Sequence, residues 1–108
     1  MANTFKLKTK ANVGVTTTDV YAAPAATTTV VIGITLANTS GTGINVGIGV
    51  TRASADDISL MKNVPIPQGS TIEFMQGNKI VLETTDTITA KSDVASSLDV
   101  ALTIMEIT

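Results

Sequence analysis

Apolar and polar positions alternate along most of this chain with the two-residue period of an extended strand. Ile32, Ile34 and Leu36 share one face of such a segment, and Ile44, Val46, Ile48 and Val50 share another, separated by Asn45, Gly47 and Gly49. The most regular stretch is the last, where Leu98, Val100, Leu102 and Ile104 alternate with Asp99, Ala101, Thr103 and Met105. Further strands are expected over 58–64, 70–75, 79–83, 87–91 and 98–107, with turn signals spaced roughly every eight to twelve residues. No helix of useful length remains. The pattern predicts an all-β chain, 1–108, folded as a single antiparallel β-sandwich of about seven or eight strands with jelly-roll or immunoglobulin-like packing. Its expected core includes Ile32, Ile34, Leu36, Val46, Ile48, Ile72, Phe74, Ile80, Leu82, Val100 and Leu102.

The connectors carry their own signals. Asn38 to Gly43 is rich in turn formers, and Pro65 and Pro67 lack the N–H that a central strand must donate, which assigns their segment to a loop or a sheet edge. Gly47 and Gly49 mark either a bulge or a close approach by another backbone. If 70–75 and 79–83 form a hairpin, Ile72 and Phe74 share a face with Ile80 and Leu82 only when paired residue numbers sum to an even value, which favours a three- or five-residue loop centred on Gly77.

The first eleven residues form a basic N-terminal strand or docking arm. Phe5 and Leu7 lie on one face of this extended segment and Lys6, Lys8 and Lys10 on the other. One reading makes it an arm that adds to a partner's sheet edge, with Phe5 as anchor and the lysines over acidic surface. The other makes it the first strand of its own sandwich, its lysines solvated and guarding an edge. Met105 and Ile107 fall on the nominally outer face of the last strand, facing either a second layer of the same domain or another subunit. Phe5, Lys6, Leu7, Lys8, Lys10, Met105 and Ile107 are therefore the candidate partner-binding residues.

Composition narrows the function. Nineteen threonines accompany abundant Val and Ile, residues that suit a pleated, half-buried surface. Hydrophobic residues make up 44% and charged residues 15%, the balance of a folding chain. The three early lysines precede any acidic residue and the remainder carries four basic and nine acidic side chains, so a +3 arm sits on a −5 body. A net charge of −2 argues against nucleic acid, whose phosphates require clustered cations. No apolar run reaches the ~18 residues of a membrane span and no secretory signal is evident, so the expected site of synthesis is a cytoplasm. The absence of cysteine fits a reducing compartment and equally a particle that must survive outside a cell.

With no His, Cys or Trp, the chain lacks thiol nucleophiles, imidazole bases and zinc- or haem-type ligand sets. Asp56-Asp57 offers two adjacent carboxylates, far short of the roughly six to eight oxygens of a calcium site, and reads as a polar turn. Glu73, Glu83, Asp86 and Asp99 lack the aromatic platforms of a sugar cleft, and no lysine is spaced as a base for serine or threonine. Gly41-Thr42-Gly43 lacks the following helix that a phosphate loop needs. No catalytic residue, cofactor or metal is expected, and the chain reads as a non-enzyme.

The run Asp19 to Pro24, the segment TTTVVIGITLANTSG over 27–41, the loop NVPIPQGS over 63–70, the stretch GNKIVLE over 77–83 and the ending ASSLDV over 95–100 together resemble small virion structural proteins of tailed bacteriophages, of marine and cyanobacterial type. The resemblance spans nearly the whole chain, carried by the order of the blocks. It departs where the chain has Thr84-Thr85-Asp86 in place of a Gly before the Asp. It implies a β-sandwich virion component, made in the host bacterial cytoplasm and used as a homo-oligomer. The favoured role is a capsid cement or decoration protein bound across major capsid protein subunits or other virion proteins. The alternatives are a neck, tail or fibre component, or a receptor- or glycan-binding module on a fibre.

Overall fold

The computed structural model describes residues 3–52, 55–74 and 79–108, with Phe74 described through its backbone alone. Among the described residues every regular element is a strand: β1 (Asn3–Val13), β2 (Thr18–Ala22), β3 (Thr28–Asn38), β4 (Ile44–Thr51), β5 (Ile58–Ile66), β6 (Thr71–Phe74), β7 (Ile80–Leu82), β8 (Thr87–Ser92) and β9 (Leu98–Ile107). They form two antiparallel sheets. Sheet A runs β1-β9-β3-β6, with β7 also on β3, and sheet B runs β2-β8-β4-β5. Successive strands cross from one sheet to the other except at the β4–β5 hairpin, and β6 with β7 occupies a single position along β3. Eight strand positions wound this way make a jelly roll, which selects one of the two expected packings.

The inner faces are apolar. Val31, Leu36, Ile88, Leu98, Leu102 and Ile104 are fully buried, and Ile34, Ile44, Val46, Ile48, Val50, Ile66, Leu82 and Val100 complete the core. Burial of one such aliphatic side chain is worth roughly 1.5–3 kcal/mol, and this alternation is therefore what holds each strand in register. Ile72 and Ile80 pack against the core half-buried.

Two expectations are corrected. Ile32 does not share a face with Ile34 and Leu36: the β3–β9 register shifts between Val31 and Gly33, so Val31 takes the buried place opposite Ile104 and Ile32, the extra residue, is half-buried. The segments around Gly77 are not the arms of a hairpin. Thr71–Phe74 and Ile80–Leu82 both run antiparallel to β3 along the same edge, Leu36 opposite Ile72 and Val31 opposite Ile80, as two pieces of one interrupted strand. Ile72, Ile80 and Leu82 come to the core side through β3, without the hairpin that the parity rule assumed. The loop expected at Gln76-Gly77-Asn78 lies outside the described residues.

Both readings of Gly47 and Gly49 apply together. The β4–β5 register shifts on either side of Ile48, and a Cβ on Gly49 would stand 3.0 Å from the carbonyl oxygen of Ile58, one on Gly47 3.3 Å from that of Met61. The bulged β5 crosses β4 where only glycine leaves room. Pro65 lies within β5 opposite Asn45, on the edge of sheet B that its missing donor demands.

At the β7–β8 turn the departure from glycine has a geometric cost. Thr85 adopts φ 71, a left-handed conformation that a β-branched residue reaches only against steric resistance. Thr85→Gly removes that strain and adds backbone entropy to the unfolded chain, for an expected net gain of roughly 0.5–1 kcal/mol. Thermal unfolding should show a rise in Tm of a few degrees. A fall would mean that the turn does not hold Thr85 in this conformation.

Candidate functional site

The N-terminal segment is the edge strand of sheet A, paired with β9 from Asn3 opposite Ile107 to Lys10 opposite Val100. The register decides which side each residue occupies. Lys6, Lys8 and Lys10 stand opposite Ile104, Leu102 and Val100, all buried, so the lysines line the inward side of sheet A at its open margin. Lys6 Nζ lies 2.7 Å from Glu106 Oε1, and Lys8 Nζ sits 6.0 Å from the centre of the Tyr21 ring. Lys10 is exposed.

Beneath them lies a buried polar cluster that sequence reading did not find. Glu106 continues the inward row of β9 as its one charged member, at 6% exposure. Tyr21 Oη donates to Glu106 Oε2 at 2.6 Å, which leaves the Thr29 hydroxyl to donate to Tyr21 Oη at 2.8 Å. The hydrogen bonds from Lys6 and then Tyr21 hold the Glu106 carboxyl below its ordinary range. Burial, reinforced by the bond to Glu106, pushes the Tyr21 hydroxyl up to about 12. Each of these side chains already has its partner within the cluster, so it ties the start of β1 and the end of β9 to β2 and β3. Its only sequence signal was a lone glutamate at an inward position of an otherwise apolar strand.

The outward side of sheet A carries the remaining candidates. Phe5 stands opposite Met105, Met105 opposite Val30, and Val30 opposite Val81, an apolar row across four strands. Phe5 is 70% exposed, Leu7 66% and Val81 58%, while Met105, Ile107, Val30 and Ile32 are half-buried. Of the two readings of Met105 and Ile107, a second layer within the domain is corrected, because the second sheet packs on the opposite side of β9. The structure therefore brings Phe5, Leu7, Met105 and Ile107 together and separates them from Lys6, Lys8 and Lys10. Val30 and Val81 were missed. Val81 is legible as the outward residue between inward Ile80 and Leu82, whereas Val30 is hidden in the unbroken apolar run Val30-Val31-Ile32.

The outer side of sheet B differs. A groove of about 360 Å³ runs over Gly47 and Gly49, walled by Ser59 and Lys62 on one side and Thr89 and Lys91 on the other. Nearby, Arg52 spans the β4 end and the β7–β8 turn, pairing with Glu83 and, at 3.1 Å, with buried Asp86. Among the described residues no cluster of carboxylates has the form of a metal site, and no helix is long and apolar enough to cross a membrane.

Comparison of the sequence with protein-family models and with curated proteins finds no match in either. Comparison with solved structures finds similarity to a Bacillus endospore appendage protein, from a family of disulfide-linked pili, with TM-score 0.59 and 16% identity over 99% of this chain and 87% of that one. At that identity the likeness speaks to the fold alone, and it is to a pilus protein, not to a phage protein.

Proposed function

We propose that this chain is a non-enzymatic structural subunit, acting in many copies that associate with one another within a larger particle. The observation that carries this reading is the uncovered apolar row Phe5-Met105-Val30-Val81: several hydrophobic side chains aligned on one sheet face are a contact surface in search of a partner. The sequence resemblance supports a phage virion as the particle and capsid cement, bound across major capsid protein subunits, as the role. A cement acts by favouring the assembled state over free subunits, which needs contact area and no chemistry.

The likeness to an appendage protein supports a second reading, a subunit of a neck, tail, fibre or free filament. A chain with no cysteine would hold such a filament together without disulfides. Quantitative mass spectrometry of purified virions separates the two: cement is expected at hundreds of copies, on the order of the shell's subunit number, and a neck or tail ring at roughly a dozen. Long filaments grown from the purified chain alone would favour the filament.

For either reading the double variant Phe5→Asp, Val81→Asp should retain its β circular dichroism and lose at least ~10-fold in association, measured by sedimentation or particle binding, since a carboxylate at each end of the row would be buried against the partner without a counter-charge. Unchanged association would remove the row from the interface.

A further inference from the structure

We infer that β1 is an exchangeable strand, and that in the assembled state the β1 of one copy fills the β9 edge of a second copy. The inference rests on the multi-copy reading above and names the contact through which the copies join.

No residue from Asn3 to Lys10 is buried; Lys8 alone is half-buried. The segment is held by its ladder to β9, by the Lys6–Glu106 ion pair and by Lys8 over the Tyr21 ring, all polar or charged contacts, so its departure gives up little buried apolar surface of its own. Its base is firmly fixed. Val13 is 2% exposed, its carbonyl accepts from Ser97 N, and Gly14 O accepts from Ser92 N. Between the loose and the fixed parts lies a hinge: the register breaks between Lys10 and Val13, and Asn12 stands at φ 59, a conformation asparagine tolerates well, held to β9 there by one exposed bond from its N–H to Asp99 Oδ1 at 3.0 Å. A swing about Ala11-Asn12 frees the segment 3–10, which extended spans roughly 26 Å. The body measures 25 and 21 Å along its shorter axes, so the freed strand reaches the β9 edge of an adjacent copy.

The vacated slot selects its occupant. It is a continuous β9 edge whose inward row ends in buried Glu106, and a strand entering it must bring a cation to that carboxylate. The β1 of a second copy does so with Lys6 in the same register. Simple edge-to-edge pairing of two intact copies through β1 is disfavoured, because the alignment that gathers Phe5 and Leu7 on one face also gathers six lysines on the other. Exchange avoids this, since each lysine set meets a β9. Phe5 and Leu7 then continue the apolar row of the receiving copy, and that row becomes a surface shared by two chains.

The natural absence of cysteine permits a clean test. Thr9 and Ala101 are opposite residues on the outward side, at a spacing a disulfide can bridge. In the double variant Thr9→Cys, Ala101→Cys, oxidation of the monomer locks β1 onto its own β9, and this locked chain should assemble at least ~10-fold less than the same chain reduced. When the reduced chain is assembled first and then oxidised, a non-reducing gel should show a ladder of covalently joined copies, absent from either single-cysteine variant beyond dimers. Assembled material that yields only single-chain species, or a locked chain that assembles like the reduced one, overturns exchange and leaves the multi-copy reading standing. A reduced chain that stays monomeric at all concentrations and does not bind particles overturns both.

Discussion

Asn38→Ala is expected to destabilise the fold by about 3 kcal/mol, lowering Tm by roughly 10–20 °C. Asn38 is 4% exposed and closes the end of β3 where three loops meet. Its Nδ2 donates to the carbonyl oxygens of Thr42 at 2.8 Å, Ile66 at 3.0 Å and Pro67 at 3.2 Å, and its Oδ1 accepts from the backbone N–H of Ser40 at 2.9 Å. Its own backbone N–H reaches Ser70 O. One side chain thus fastens sheet A to both the β4 entry and the β5 exit of sheet B. Alanine would leave the buried Ile66 carbonyl without this donor, while Thr42 O keeps Ser40 Oγ and Pro67 O keeps Ser70 N. An unpaired buried acceptor costs about 1–3 kcal/mol, and the lost bonds to Thr42, Pro67 and Ser40 N add to it. Asn38→Asp offers a diagnostic control. It restores volume and acceptor capacity but points a carboxylate at carbonyl oxygens, so it should be no more stable than the alanine variant in chemical denaturation. Rescue by Asp would mean that shape, not donation, is what the site needs.

The second large effect is in the pH dependence of stability, which the cluster around Glu106 and Tyr21 should shape at both ends. Glu106 has an ordinary value of 4.5 and is held lower in the fold by Lys6 and Tyr21, so its contribution is present above that pH and is lost as pH falls through the folded value. Tyr21 has the opposite sign. Its ordinary value is 10.0 and its folded value about 12, so the unfolded chain releases the proton first. Stability is full below pH 10 and declines between 10 and 12, by about 2 kcal/mol from this group. Urea unfolding across that range should show a steeper alkaline loss in the wild type than in Tyr21→Phe, which lacks the titrating hydroxyl. Superimposed curves would show that Tyr21 does not carry the alkaline limb. Glu106→Gln should flatten the acid limb in the same comparison.

Both effects sit at positions where sequence and structure speak differently. Asn38 reads as the first residue of a turn-rich connector, and its type is right for that, but nothing in its neighbours reveals that Ile66 and Pro67 arrive beside it. Glu106 is legible as an anomaly in the alternation of β9, yet its partners come from β1 and β2, 100 and 85 residues away in the chain.

What the sequence by itself determined is what short-range chemistry decides. The two-residue alternation and β-branched content required strands, Pro65 required a loop or an edge, and the absence of His, Cys and Trp removed most site chemistry. The alternation also paired Phe5 with Leu7 and set the lysines against them. Which of those two faces looks outward was decided only in the tertiary structure, by the pairing of Lys6 with Ile104 across the β1–β9 ladder. The bulge that replaces Ile32 by Val31 in the core, the joining of β6 and β7 as one interrupted strand on β3, and the row from Phe5 to Val81 were decided in the same way. A strand's period follows from its own side chains, but its register and its outer face follow from the strand beside it, and in a jelly roll that neighbour is usually distant in sequence.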